Sequence, residues 1–330
     1  MAATCALCAF LLLWLISTPV VQPLEKLTPP AAKPVTATPS PKAPSAPKMP
    51  KAGDIWKEPQ TGMEFLYIQA GAFTMGSPAS EDARDDDERQ HEVAVDGYWM
   101  SKYEVTVDQF SMFAIATGYH TDAEKEGWAP GFYDDNWTHH QKGANWRNPG
   151  FPQTGTHPVV CMSWNDAAAF AEWLSQQSGN RFRLPTEAEW EYACRASSNT
   201  ARFWGNDPNA ACCYANVADQ TAQKQFKFPP MHECSDGYAC ASPVGSFRAN
   251  AFGQYDMLGN VWEWCSDWYA DYPIGQVLNP AGPSSGSRRV GRGGGWISVG
   301  QGVRSAERHA NDPTERENYL GFRLVRTQPQ

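Results

Sequence analysis

The chain has 330 residues, 42% hydrophobic and 19% charged, enough to bury the core of one large domain or two average ones. Its 14 tryptophans, 27 glycines and 26 prolines exclude a helical bundle or coiled coil and suit a loop-rich, aromatic-packed fold. Net charge is −9; residues 1–51 carry +4, which leaves −13 on the rest, and so acidic a body repels phosphate backbones, so no nucleic-acid partner is expected.

In chain order, residues 1–27 hold an apolar stretch centred on AFLLLWLI (9–16), with no charge before Glu25. This fits the apolar region of a signal peptide or a membrane anchor, although no basic residue precedes it. Residues 28–52 form a Pro/Ala/Lys-rich tether, whose eight prolines between 28 and 50 favour an extended chain of about 70 Å at ~3 Å per residue. The expectation is an exported protein, periplasmic or at the cell surface, with membrane contact only through the N-terminal segment. Residues 53–330 then read as one continuous domain without a second linker or a repeat.

Three helices are legible within it. Thr106 with Gln109 is a capping-box pattern and opens a helix to about Thr117, with Phe110, Phe113 and Ala114 on its inner face. Ser163 or Asn165 caps a second, Asp166 to Ser178, with Ala169, Phe170, Trp173 and Leu174 inward. Thr186 with Glu189 starts a third, ending at Arg195. Strands are expected at 65–70, 92–100 and 321–325, and the remainder as long loops that need disulfides or ions to hold them. The acidic run 81–88 reads as a solvated loop, and His157 as a structural histidine.

The body carries seven cysteines, Cys161, Cys194, Cys212, Cys213, Cys234, Cys240 and Cys265, so at least one is unpaired. The short Cys234–Cys240 loop suggests that at least one of those two is bridged. No spacing suits structural zinc. Hard oxygen ligands occur in the segment from Asp256 through Gly259 and Val261 to Glu263, and around Asn216, Val217, Asp236 and Tyr238. Each set suits either calcium or an ordinary solvated turn. His139 and His140, near Asp134 and Asp135, are the one paired-histidine feature. Trp137, Trp146, Trp204 and Trp296 are candidates to line a groove for a peptide or sugar.

The motifs FLYIQAGAFTMG (65–76), YEVT (103–106), HPVV (157–160), SWND (163–166), RLPTEAEWEY (183–192), GNVWEW (259–264), RGGGW (292–296) and GFR (321–323) occur in order. By them the chain resembles the formylglycine-generating enzyme, or sulfatase-modifying factor, family over residues 60–326. The resemblance implies an α+β fold, the family's variant of the C-type lectin fold, with little regular secondary structure and long loops. It also implies structural calcium at both oxygen sets: Asp256, Gly259, Val261 and Glu263, and Asn216, Val217, Asp236 and Tyr238.

The family's oxidases hold copper on two cysteines that follow the Arg-Gly-Gly motif. Here Ser298 stands at the first position and Gly300 or Gln301 near the second, and no cysteine follows Cys265. A hydroxyl and a bare glycine are poor ligands for soft Cu(I), so no copper and no formylglycine-generating oxidation are expected. Ser305, Leu324 and Ala171 also occupy positions where the family has disulfide cysteines, so Cys194 pairs elsewhere or stays free.

Two branches of the family offer precedents for such a member. One consists of surface-displayed, retroelement-diversified binding proteins whose variable segment follows the Arg-Gly-Gly-x-Trp motif. The other resembles the pyoverdine-maturation protein. The leading expectation is a calcium-stabilised module that binds a peptide, protein or glycan through Trp296, Ile297, Ser298, Val299, Gln301, His309, Asn311, Asp312, Glu315 and Tyr319. The alternative is an enzyme of different, oxidoreductase-like chemistry that modifies an exported peptide, using His139 and His140 or a free thiol.

Overall fold

The computed structural model describes residues 49–227 and 232–327, which fall in one compact unit, Met49–Gln330. The apolar leader and most of the tether lie outside the described residues. Among the described residues no helix is long and apolar enough to cross a membrane.

All three expected helices form: α1 (Val107–Thr117), α3 (Trp164–Ser178) and α4 (Glu187–Arg195), with a short α2 (Asp122–Glu126) and α5 (Gln220–Gln225). Complete capping boxes start α1 at Thr106, α3 at Ser163 and α4 at Thr186. In each the side-chain oxygen of the cap accepts the N3 amide and the N3 side chain accepts the cap amide. Phe110, Phe113 and Ala114 of α1 and Phe170, Trp173 and Leu174 of α3 share one core with Trp146 and Phe322, whereas Ala169 is only partly buried. α2 is not among the expected helices, although Thr121 and Glu124 make the same cap and Gly127 ends the helix with a left-handed φ of 79°.

The strands are shorter and more broken than expected. A five-stranded sheet joins the two ends of the domain in the order Ile55–Lys57, Glu64–Ile68, Tyr98–Ser101, Val325–Arg326, Phe182–Arg183. The expected strand 92–100 is two strands in different sheets, His91–Val95 and Tyr98–Ser101. They part at Asp96, whose amide donates to Asn279 Oδ1 at 2.8 Å and whose carboxylate accepts Asn279 Nδ2 at 2.8 Å. The expected strand 321–325 is likewise interrupted, because Arg323 turns inward to pair with Glu263.

A four-stranded sheet, Arg308–Asn311, Arg289–Arg292, Trp262–Trp268, Leu320–Gly321, carries the segments that flank the Arg-Gly-Gly motif. Residues 137–146, expected as a loop, contain most of a hairpin strand: Asn136–Lys142 pairs antiparallel with Trp128–Tyr133. Its turn is Asp134-Asp135, both at positive φ (48° and 62°), a conformation more often signalled by Asn-Gly.

Buried ion pairs tie distant motifs together. Arg292 pairs with Glu191 of α4 and Arg308 with Glu187, while Arg323 meets Glu263 through two contacts of 2.7 Å. Arg304 holds Glu81, Glu88 and Glu307. The acidic run 81–88 is therefore not simply a solvated loop: Glu88 is fully buried, and Glu81 and Glu88 are gathered by one guanidinium.

Candidate functional site

The segment that follows the Arg-Gly-Gly motif folds back tightly. At Gly294, φ is 75°, and a Cβ would lie 2.4 Å from the Gly302 carbonyl, so only glycine lets the chain return on itself. Ser298 closes the turn: its Oγ accepts the Gly295 amide at 2.9 Å, and its own amide donates to the Gly295 carbonyl at 2.8 Å. Trp296 and Ile297 are buried among Phe132, Phe151, Phe226 and Tyr319. Val299, Gly300 and Gln301 remain at the tip.

That tip lines a cavity of about 670 Å³, together with Glu81 and Asp82 of the acidic run and Arg202, Pro208, Asn209 and His232. The Cys212–Cys234 disulfide fastens the 3-10 turn Pro208–Cys213 to the stretch that carries His232, so one cavity wall is covalently stapled. One of Cys234 and Cys240 is therefore bridged, as their spacing suggested. Cys161, Cys194, Cys213, Cys240 and Cys265 are free. Burial pushes the Cys194 and Cys161 thiols up to about 12, so neither is a ready nucleophile. Cys194 rests 3.6 Å from Ser305 Oγ, a serine standing where the resemblance implies a cysteine. Ala171 and Leu324, at the other such positions, pack in the main core.

The expected ligand surface is thus divided. Val299, Gln301, His309 and Asp312 are exposed, and Ser298, Glu315 and Tyr319 are half-buried. Trp296, Ile297 and Asn311 are buried at 1%, 9% and 8% exposure and lie beneath the surface. His309 packs on Trp262, and Asp312 caps a turn by accepting the Thr314 amide. Only Val299, Gly300 and Gln301 reach the cavity. Arg202 and His232 were not legible as cavity residues, since a long loop and a disulfide bring them there.

Of the groove tryptophans, Trp146 is buried and Trp204 stacks on Tyr214. Trp137 is 62% exposed and edges onto Tyr319. His140 packs 3.9 Å from the Trp128 ring, and neither His139 nor His140 joins a metal-holding group among the described residues. His157 is structural as read, its Nδ1 accepting the Thr154 amide at 2.9 Å.

The oxygen sets suit a hard cation. Asp236 accepts the amides of Val217 and Tyr238 at 2.9 and 2.8 Å, and burial pushes its carboxyl up to about 7. Asn216 Oδ1 is buried without a partner. Asp256 accepts the Gly245 amide at 2.6 Å through Oδ2, while its Oδ1 is buried and unpartnered. Glu104 Oε2, also unpartnered, belongs to the same acidic neighbourhood, a residue the motifs gave no reason to single out. Burial, and then the Asp256 charge, push Glu104 well up, and burial holds Asp256 at about 6. Three buried carboxyl groups, Glu104, Asp256 and Glu263, thus share one guanidinium, Arg323, and when all three are ionised they carry an excess of negative charge that a cation would offset. The two sets abut, since the Asn260 amide donates to the Asn216 carbonyl at 2.8 Å.

Copper finds no such fit. Where the resemblance implies thiols stand a hydroxyl engaged in a turn and Gly300 or Gln301, none of them a donor for a soft ion.

The family model for the sulfatase-modifying factor enzyme 1-like domain matches residues 51–328. The mouse formylglycine-generating enzyme is 39% identical over 290 residues, covering 79% of this chain and 74% of that protein. The mouse protein named inactive C-alpha-formylglycine-generating enzyme 2 is 33% identical over 289 residues, with 79% and 84% covered. Among solved structures, PvdO from Pseudomonas aeruginosa superposes with a TM-score of 0.70 at 30% identity, covering 85% of this chain and 100% of that one.

Proposed function

The chain belongs to the sulfatase-modifying factor enzyme 1-like family, and from that premise we propose that it is an exported, calcium-stabilised binding module. Its ligand or partner enters the cavity lined by Val299, Gly300 and Gln301. The observation that carries this reading is the exchange at positions 298–301. Where the resemblance implies two redox thiols stand a turn-capping serine and Gly300 or Gln301, and a cavity of about 670 Å³ lies beside them. A family scaffold that has such a cavity and lacks the soft donors suits recognition rather than oxidation.

Calcium has a structural part in this account. Asp236 and Asn216 in one set, and Asp256 with Glu104 in the other, are the side chains that would hold it. The ion would supply positive charge to loops with little regular secondary structure, and no chemical step passes through it.

Ligand-observed NMR with a panel of short N-acetylated peptides tests the reading, with wild type set against Gly300→Phe. A Cβ at Gly300 meets Pro208 Cβ at 3.1 Å, so the larger side chain fills the cavity from its tip. Binding by wild type that Gly300→Phe abolishes supports the proposal. Equal binding by both proteins contradicts it.

A further inference from the structure

Seven arginines are buried among the described residues. Arg195, Arg292, Arg304, Arg308, Arg316 and Arg323 each have a carboxylate within ion-pair distance. Arg202, 5% exposed, has none among the described residues. Main-chain carbonyls receive its guanidinium, Asn206 at 2.9 Å and Gly300, while its Nε has no hydrogen-bond partner. Taking a charge out of water costs several kcal/mol unless a counter-charge offsets it. The other six buried arginines follow that rule; Arg202 has no carboxylate at ion-pair distance, only the more remote charges of Glu81 and Asp207, and it lines the cavity.

His232 lines the same cavity at 3% exposure. Its Nδ1 sits 2.7 Å from the Pro208 carbonyl, and a carbonyl only accepts, so Nδ1 carries the proton. Burial, with the Arg202 charge nearby, favours the neutral ring. Nε2 is therefore an acceptor, and it has no partner. Around Gly300 the two groups are close: a Cβ there would lie 3.7 Å from His232 Cε1 and 3.8 Å from Arg202 Nη2.

We infer that the ligand of this cavity presents a carboxylate to Arg202 and an adjacent N–H or O–H to His232, an inference that rests on the cavity reading above. A planar, singly charged carboxylate matches a guanidinium edge. A second negative charge, as on phosphate, would face Glu81 and Asp82 in the same lining and a body of net charge −13. Both a small free acid and the C-terminus of a peptide carry the required pair of groups.

Calorimetry on the wild-type protein compares N-acetylglycine with N-acetylglycinamide, and N-acetyl-pentaglycine with its C-terminal amide. Amide resonances of residues 299–301 report where each binds. The expected result is that each acid binds about 10-fold or more tightly than its amide. Arg202→Gln should erase the difference, and Arg202→Lys should keep part of it. A pentapeptide acid that outbinds N-acetylglycine assigns the carboxylate to a peptide terminus; equal affinities assign it to a small acid. Should acids and amides shift residues 299–301 alike with equal affinity, the carboxylate inference fails and the cavity reading stands. Should none of the four probes shift those resonances, the cavity reading itself fails.

Discussion

Ser305→Cys restores a cross-link that the sequence lacks, and its effect follows from the geometry. Cys194 Sγ lies 3.6 Å from Ser305 Oγ, both residues are fully buried, and 111 positions separate them. Closing a loop of that length removes about 16 cal/mol/K of entropy from the unfolded chain, or about 5 kcal/mol at 25 °C, as an upper bound in the chain-entropy treatment. For a domain of this size, a shift of about 2–4 °C in Tm per kcal/mol makes even half that gain readily visible. The assay is thermal melting with and without reductant, with intact-mass measurement to count free thiols. The variant should lose both thiols at 194 and 305 and melt higher only when oxidised. If the thiols at 194 and 305 both remain titratable in the oxidised protein, beside those of Cys161, Cys213, Cys240 and Cys265, the placement of Ser305 opposite Cys194 at a disulfide position is refuted.

Three further outcomes are expected. Burial raises the Asp236 carboxyl to about 7 and Asp256 to about 6, so in metal-free protein these two groups contribute stability that is fully present below the ordinary carboxylate range and is lost as pH rises through 6 and 7. Added calcium should therefore raise Tm more at pH 8 than at pH 5, and an equal rise at both would contradict the assignment. Gly294→Ala places a Cβ 2.4 Å from the Gly302 carbonyl at a φ of 75° and should cost about 1–3 kcal/mol in urea unfolding, against no change if the turn is loose. Arg304→Met leaves Glu81, Glu88 and Glu307 without their guanidinium, so it should destabilise by about 3–5 kcal/mol and open residues 78–88 to limited proteolysis. Undiminished stability would show that those carboxylates do not depend on it.

Local chemistry made part of this molecule legible. The helix starts at Thr106, Ser163 and Thr186 were readable because a capping box is complete within four residues. The Asp134-Asp135 turn was not, because its signal is a backbone conformation that Asp adopts without announcing it. The break at Asp96 was equally hidden, since it depends on Asn279, 183 residues away. The same contrast holds for the site. Gly293 and Gly294 and the missing thiols could be read from the Arg-Gly-Gly motif and its neighbours. The cavity wall could not: Arg202 and His232 come from segments that the Cys212–Cys234 bridge gathers, and cysteine spacing does not fix connectivity. Burial also divided what sequence order had grouped, placing Trp296 and Asn311 beneath the surface expected for residues 296–319 and leaving Val299 exposed on it.

We propose that this scaffold lacks soft-metal chemistry and combines hard-cation loops with a ligand cavity. Purified protein exposed to Cu(I) alongside a competing chelator, then assayed for bound metals and for conversion of a Cys-x-Pro-x-Arg peptide to the aldehyde, tests it most directly. The account predicts calcium retained, copper left with the chelator and the peptide thiol intact. Stoichiometric copper on the protein together with aldehyde formation would contradict it.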